Sequence, residues 1–163
     1  MSNLTKPAVK KVRKALSDAG MNDTVIELEE TAKTAEDAAR ATGAELGAIV
    51  KSLVFIVGEQ PVMALVAGDH VCVPENLPRA LNLEGEVSKA SADDVKAATG
   101  FTIGGCAPIA HDTVLPMVID VSLKRFDALF AAAGHPHCVF PTTVAELKRL
   151  TGGIISYNIA VPI

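Results

Sequence analysis

Two apolar runs stand side by side in the first half of the chain, and they constrain the fold more than any other feature. The runs are KSLVFIV at 51–57 and PVMALVA at 61–67, and only Gly58, Glu59 and Gln60 separate them. Apolar runs of strand length around a short turn that contains glycine are typical of a β-hairpin. Because polar residues do not alternate along either run, we expect both strands to be largely buried.

Helix signals occur on both sides of this hairpin. Apolar residues at helical spacing after Pro7 predict an amphipathic helix over 6–18, and PENLPRALNL at 74–83 predicts a short helix after a loop. Residue pairs that can cap a helix start predict three more helices, which end near Gly43, Gly100 and Gly152. These pairs are Thr34 with Asp37, Ser91 with Asp94, and Thr143 with Glu146.

The remaining strand signals are shorter. TVIELE at 24–29 alternates like a strand, and LPMVIDV at 115–121 indicates a further strand. The segment at 126–140, FDALFAAAGHPHCVF, permits a helix in its first half or a second hairpin. Strands in adjacent pairs, mixed with helices, indicate an α+β fold rather than a repeating βαβ unit. We expect residues 1–163 to form a single domain.

Charge narrows the classes of function. The net charge of −4 argues against a broad basic face that coats nucleic acid. Residues 1–20 are nevertheless locally basic, because they hold four lysines and one arginine against Asp18. This run is either a solvated helix face or a local contact for nucleic acid, and charge reversal at Lys10, Lys11 and Lys14 distinguishes the two.

The sequence also indicates a compartment. It has no apolar stretch of membrane-spanning length and no apolar segment after its N-terminal charges, so we expect a cytoplasmic protein without a membrane partner. Its three cysteines, Cys72, Cys106 and Cys138, show no CxxC spacing and are expected to be reduced thiols. His135, His137 and Cys138 lie within one turn and lack a distant second pair of ligands, so we expect no metal site.

The segment GFTIGGCAPIAH at 100–111 is the strongest candidate for a functional loop. It is neither a GxGxxG fingerprint nor a P-loop, because no helix opens behind it. Gly104 and Gly105 permit close approach of the backbone to a ligand, and Pro108 fixes one φ angle, so the loop can present main-chain groups rigidly. A tight turn between strands is the alternative interpretation.

Three side chains are candidates for chemistry or for the core. Lys51 stands within apolar sequence, where it either snorkels to the surface or points into a cleft and meets a phosphate or a developing oxyanion. Cys106 is a possible nucleophile with His111 close in sequence, but no acid that would orient the histidine is identifiable. Asp120 is expected to be a buried hydrogen-bond acceptor that holds loops together.

Four segments together resemble the YbaK/prolyl-tRNA-synthetase-associated domain family, over most of the chain. They are IVKSLVF at 49–55, TGFTIGGCAPIAH at 99–111, LPMVID at 115–120 and AAGHPHCVFPTTVAELKRLTGG at 132–153. The most specific signatures are the lysine of the first hairpin and a GxxxP loop from Gly104 to Pro108. The resemblance implies a mixed, strongly curved β-sheet with helices packed outside.

The resemblance also implies trans-editing, the hydrolysis of the ester that joins a wrong amino acid to the 3′-terminal adenosine of a tRNA. It implies catalytic roles for Lys51, Gly104 and Gly105, and contacts to substrate from the loop residues that follow. These residues are Cys106, Ala107 and Pro108. Of the three, Cys106 would shape the amino acid pocket. His111 and His137 lie outside the general signature and are either pocket residues of a subgroup or surface histidines.

The implied partners are an aminoacyl-tRNA and, as an open alternative, a synthetase; neither DNA nor a cofactor is implied. The amino acid stays open, because subgroups of the family remove cysteine, alanine, serine or threonine. Two other functions compete with editing. One is a tRNA- or synthetase-binding module without activity, and the other is a thiol hydrolase that uses Cys106.

Overall fold

The predicted hairpin is the centre of the fold. The computed structural model describes residues 2–163, in which five α-helices and ten strands alternate with short 3-10 turns. The helices are α1 (Pro7–Asp18), α2 (Ala35–Thr42), α3 (Leu77–Leu81), α4 (Ala92–Thr99) and α5 (Val144–Thr151). The strands are β1 (Ile26–Glu27), β2 (Val50–Val57), β3 (Gln60–Ala67), β4 (His70–Cys72), β5 (Val87–Lys89), β6 (Met117–Asp120), β7 (Leu129–Ala132), β8 (Cys138–Thr142), β9 (Ile154–Ser156) and β10 (Ala160–Pro162).

A five-stranded mixed sheet is built around the hairpin, in the order β5-β2-β3-β6-β9. Strands β2 and β3 pair antiparallel over their whole length, from Val50 opposite Ala67 to Val57 opposite Gln60. Strand β6 lies parallel to both β3 and β9. Strand β5 pairs antiparallel with β2 at 55–57 only. This combination confirms the predicted α+β class with a mixed sheet, and the sheet is not closed.

A second sheet resolves the ambiguous segment at 126–140. Strands β7 and β8 form a hairpin, so the alternative of a helix in this segment is wrong. Strand β1 adds to β8 through only two residue pairs, and both of its residues are exposed. The alternating pattern at 24–29 therefore gives a shorter strand than it suggests, because only two of its residues find a partner. Strands β4 and β10 form a separate antiparallel ribbon.

The core lies on both faces of the hairpin. Strand β3 is largely buried, as its continuous apolar run predicts, whereas only Val50, Val54 and Val57 of β2 are buried, so the prediction for β2 is wrong. One face of β3 presents Met63 and Leu65 to a large cluster that also holds the apolar stripe of α1. The other face presents Ala64 and Val66 to a smaller cluster closed by α3. All four of these side chains are fully buried.

The predicted capping residues begin their helices. Ser91 and Asp94 form both bonds of a capping box at the start of α4. The Thr34 hydroxyl accepts from the Asp37 amide at 3.1 Å, and the Thr143 hydroxyl accepts from the Glu146 amide at 3.1 Å. Each of these helices ends at a glycine with positive φ. Among the described residues, no helix combines the length and the hydropathy that crossing a membrane requires.

Truncation of Phe140 tests the larger cluster. Its ring is fully buried on β8, so Phe140→Ala is expected to lower the free energy of unfolding by about 3–5 kcal/mol. Urea titration measures this loss. Val114 is 97% exposed, and Val114→Ala is expected to change the same quantity by less than about 0.5 kcal/mol. Equal effects of the two substitutions would contradict this assignment of the core.

Candidate functional site

A gap between the two sheets forms a cavity, which we call the β2–β7 cavity. Because β5 covers only residues 55–57 of β2, the edge of β2 over 50–54 has no strand neighbour on that side within the described chain. A single parallel bridge, from Ile49 to Phe130, holds β7 beside this edge. The cavity measures about 270 Å³, and its walls include β2, β7, the start of α2, and the loop residues Ile103, Gly104 and Cys106.

The charged side chains that line the β2–β7 cavity are both lysines. Lys51 comes from β2, and Lys33 comes from the loop before α2. The Lys33 stem packs over Gly104, where an added Cβ atom would lie 2.9 Å from its Cγ. No acidic residue among those described lines the cavity. A cavity lined by two lysines and by no acidic residue among those described favours an anionic group or an oxygen that gains negative charge during a reaction.

The ammonium group of Lys51 is fixed by main chain. The side chain is half-buried, and its Nζ donates a hydrogen bond to the carbonyl oxygen of His70. Burial lowers the pKa of Lys51 from its ordinary value, while the charges of Glu36, Cys72 and Asp69 oppose that effect. Lys51 therefore lies in a cleft with its charged end held, and it is not a lysine that extends freely into solvent.

An ion pair holds the turn that carries this carbonyl. Asp69 accepts two hydrogen bonds from the Arg125 guanidinium, at 2.7 and 2.9 Å, and its Oδ1 lies 2.7 Å from Nδ1 of His70. The Arg125 Nε also donates to the carbonyl of Ser122 at 2.7 Å. Arg125 ends the 3-10 turn Val121–Arg125, and the buried carboxylate of Asp120 begins that turn by accepting from the Ser122 amide at 3.0 Å. The position of Lys51 thus depends on residues far from it in sequence.

The double-glycine loop is locked to the turn between β7 and β8. The Gly134 amide donates to the Gly105 carbonyl at 2.9 Å, and the Gly105 amide donates to the Thr102 carbonyl at 3.2 Å. An added Cβ atom on Gly105 would lie 2.9 Å from the His135 amide nitrogen. Gly104 has φ 97°, a conformation that favours glycine. The absence of a side chain at Gly105 therefore lets the loop pack closely against the turn between β7 and β8, while Gly104 lines the cavity.

The structure brings some of the predicted site residues together and separates the others. Lys51, Gly104 and Cys106 line the β2–β7 cavity. Gly105, Ala107 and Pro108 are buried beside it without lining it. Their assigned roles stay predictions, as do those of the residues that face the cavity.

The two histidines have hydrogen bonds of their own. Nε2 of His111 donates to the Ala107 carbonyl at 2.7 Å, and burial lowers the pKa of this histidine. Nδ1 of His137 lies 3.0 Å from the Leu28 carbonyl, to which it donates. Neither side chain lines the cavity. Among residues 2–163, no three His, Cys, Asp or Glu side chains group closely enough to hold a metal ion.

Cys106 has the environment of a pocket wall. It is 8% exposed, and its Sγ lies 3.8 Å from the Thr99 hydroxyl. Burial raises the pKa of the thiol to about 11, although the contact to Thr99 acts in the opposite direction. The thiol is therefore protonated at neutral pH, which disfavours its use as a nucleophile.

The sequence did not indicate two polar residues of the cavity. Lys33 stands just before the Thr34 cap, in a position typical of an exposed loop lysine. Ser52 follows Lys51, and its buried hydroxyl has no hydrogen-bond partner among the described residues. An unpaired buried hydroxyl costs stability, so a ligand is a natural partner for it. Neither position carries a motif, since only the folded chain brings both to the cavity.

Three comparisons place this geometry among known proteins. The family model "Aminoacyl-tRNA editing domain" matches residues 29–150. The chain is 31% identical to YwhH of Bacillus subtilis over 147 residues, covering 88% of this chain and 91% of that protein. It is 29% identical over 121 residues to "Putative Cys-tRNA(Pro)/Cys-tRNA(Cys) deacylase EbsC" of Enterococcus faecalis, covering 74% and 73%. A crystal structure of a "putative trans-editing enzyme for prolyl tRNA synthetase" aligns with TM-score 0.87 and 35% identity, over 96% of this chain and 98% of the other.

Acid unfolding tests the ion pair between Asp69 and Arg125, which holds the turn that Lys51 bonds. The hydrogen bonds from Arg125, followed by the one from His70, lower the pKa of Asp69 from 3.8 to about 2. A lowered carboxyl pKa stabilises the fold above pH 3.8, and this stability is lost as the pH falls towards 2. Because Asp69 is about one-third exposed, we expect Asp69→Asn to cost about 1 kcal/mol at pH 6.

Urea titrations of the wild type and Asp69→Asn between pH 2 and pH 6 measure this difference, which should vanish near pH 2. The matched control is Asp18→Asn, which removes an exposed pair with Lys14 and is expected to cost less than about 0.5 kcal/mol. A difference for Asp69→Asn that is independent of pH would contradict the assignment.

Proposed function

The chain belongs to the aminoacyl-tRNA editing domain family, and from this membership we propose that it is a deacylase that acts in trans on mischarged tRNA. The reaction is hydrolysis of the ester between an amino acid and the 3′-terminal adenosine. A water oxygen attacks the ester carbonyl carbon, and the bond from that carbon to the ribose oxygen breaks. The products are the free amino acid and a tRNA whose terminal ribose has regained its hydroxyl.

One observation supports the proposal: Lys51 and Gly104 line a single small cavity that no acidic residue among those described lines. A cation opposed by main-chain donors is the arrangement that stabilises a tetrahedral oxyanion. The volume of about 270 Å³ lies near the lower end of small-molecule sites, which begin at about 300 Å³. A small aminoacyl ester suits such a volume.

The oxyanion donors that we propose are main-chain amides. The amides of Gly104 and Cys106 donate to no other described residue, whereas that of Gly105 is used within the loop. Lys51 supplies positive charge to the ester or to the terminal phosphate. An ester is more reactive than an amide, so a positioned water, these donors and a ribose hydroxyl of the substrate can suffice without a catalytic triad.

The walls of the cavity favour a small, uncharged amino acid. Cys106, Ala131 and Val50 contribute side chains of modest size to the wall. Each additional methylene changes binding in such a pocket by only about 1–3 kcal/mol, so a second site that hydrolyses wrong products adds discrimination. The names of two relatives refer to deacylation of Cys-tRNA and to trans-editing for prolyl-tRNA synthetase. We therefore propose cysteine, alanine, serine and threonine esters as the substrates to test.

Substitution of Lys51 tests the mechanism with that panel of charged tRNAs. Lys51→Ala is expected to lower kcat/KM by about 10²–10³-fold, because it removes charge from the reacting end of the substrate. Cys106→Ala is expected to keep activity within about tenfold and to change the preference among amino acids. Lys89→Ala removes an exposed lysine of β5 and is the matched control.

The competing functions give different results in this assay. Absence of hydrolysis with every charged tRNA, together with measurable tRNA binding, would identify a binding module without activity. Loss of activity in Cys106→Ala, with Lys51→Ala active, would identify a thiol hydrolase. Either result would overturn the proposed mechanism.

Ser52 allows a test in which stability and activity change in opposite directions. Because its buried hydroxyl has no described partner, Ser52→Ala is expected to keep or raise the free energy of unfolding, by up to about 1 kcal/mol. If the hydroxyl bonds the substrate, kcat/KM falls by about tenfold in the same variant. Urea titration and deacylation measure the two effects. A variant that is less stable and fully active would contradict this role.

A further inference from the structure

A second concave surface lies against the back of the double-glycine loop, and we call it the basic groove. It measures about 430 Å³ and lies between the start of α1, the end of α4, residues 101–102 and the turn between β7 and β8. Four of the residues that line it are basic, and none of the described residues that line it is acidic. The four are Lys6, Lys11, Lys96 and His135.

This concentration of positive charge is local, because the chain as a whole has 15 lysine and arginine residues against 19 aspartate and glutamate residues. Asp112 does not line the groove, but its carboxylate lies beside Gly100 and accepts from Lys11 at 2.8 Å. Lys6 and Lys96 have no carboxylate within ion-pair distance among residues 2–163. Both side chains are exposed, and the Lys96 ammonium donates one hydrogen bond, to the Gly100 carbonyl at 2.9 Å, so neither positive charge is neutralised by a carboxylate at ion-pair distance.

His135 adds a hydrogen-bond donor to the basic groove. Its Nδ1 accepts from the His137 amide at 3.1 Å, which leaves Nε2 to carry the proton of the neutral ring. Burial and the charge of Lys6 lower the pKa of His135, and nearby Glu27 opposes them weakly. Neutral His135 suits a phosphate oxygen, to which it can donate without adding charge.

The basic groove and the β2–β7 cavity share one wall. Phe101 and Thr102 line the groove, and the next residues, Ile103 and Gly104, line the cavity. On the groove side, the Gly134 amide bonds the Gly105 carbonyl. A flexible chain whose end occupies the cavity can therefore continue over this loop into the groove.

The aromatic ring at this site is unavailable for stacking on a base. Phe101 is 1% exposed, and the Lys11 ammonium covers it at 4.8 Å from the ring centroid. Recognition of unpaired bases relies on exposed aromatic faces, whereas phosphates are held by lysine, histidine and arginine side chains. The chemistry of the groove thus fits a phosphodiester backbone and carries no means of reading sequence.

We propose that the basic groove binds the phosphates of the unpaired RNA strand that immediately precedes the nucleotide in the β2–β7 cavity. The inference rests on the proposed function, because it takes RNA as the polymer that enters the cavity. The groove positions the strand, and the cavity contacts its terminal nucleotide. Binding through phosphates alone makes the affinity strongly dependent on salt and nearly independent of tail sequence.

The test uses the full chain and an uncharged, fluorescently labelled RNA hairpin with a four-nucleotide unpaired 3′ tail. Anisotropy titrations give Kd at several salt concentrations for the wild type and for the double variant Lys6→Gln, Lys96→Gln. The double variant is expected to bind about tenfold more weakly. Its slope of log K against log salt should be about 1.4 smaller in magnitude, since two contacts to a single strand are lost.

The matched control is the double variant Lys89→Gln, Lys148→Gln, which changes the net charge equally at exposed positions on β5 and α5. It is expected to bind like the wild type. Equal weakening in both double variants, or in neither, would overturn the proposal. So would equal affinity of the wild type for a hairpin without the tail.

Failure of this inference is distinguishable from failure of the proposed function. Binding of uncharged RNA requires no turnover, so the salt slope reports on the basic groove even if no charged tRNA is hydrolysed. Conversely, hydrolysis that is lost only with Lys51→Ala would support the proposed function when the groove variant binds RNA like the wild type.

Discussion

Burial of both faces of the central hairpin is the constraint on which the rest of the structure depends. Residues along β3 alternate between two apolar clusters, so helices and further strands are needed on each side of the sheet. Packing holds β2 beside β3, the central strand of the sheet, while β5 pairs with only the last three residues of β2. The uncovered edge of β2 is then available to form the wall of a cavity. The position of the site is thus a consequence of incomplete pairing on a strand that packing holds rigidly.

Residues that are distant in sequence fix the positions of the groups in this site. The Lys51 ammonium bonds the carbonyl of His70, and the ion pair between Asp69, on the same turn, and Arg125, which follows β6, holds that turn. The double-glycine loop bonds the turn between β7 and β8, about thirty residues later. Groups that stabilise charge work best when they are already in position, because no reorganisation is then needed during the reaction. In this fold the supports of the site are ion pairs and main-chain hydrogen bonds at element ends.

The sequence predicts those features that depend on neighbours along the chain. The hairpin at 51–67 and the helix starts at Ser91 and Thr143 rely on periodicity or on contacts three residues apart, and they are confirmed. The resemblance correctly indicated the fold and the family. The presence of Lys33 in the cavity was not predictable, because it depends on how α2 packs against the loop at 103–106. The segment at 126–140 stayed ambiguous for the same reason, since a pairing partner decides between helix and strand.

The distribution of charge explains how an acidic protein can be suited to a polyanion. Screening limits the reach of a charge to about 8 Å at physiological salt, so distant carboxylates weaken the local potential only slightly. Acidic residues such as Glu29 and Glu30 line a separate concave surface, whereas the described residues that line the β2–β7 cavity and the basic groove include lysines and no acids. A phosphate chain is therefore repelled by the surface that the acids line and attracted by the surfaces that the lysines line. The net charge of a protein affects its solubility. The separation of positive from negative side chains on the surface determines where a polyanion is attracted, which here is the surface on both sides of the double-glycine loop.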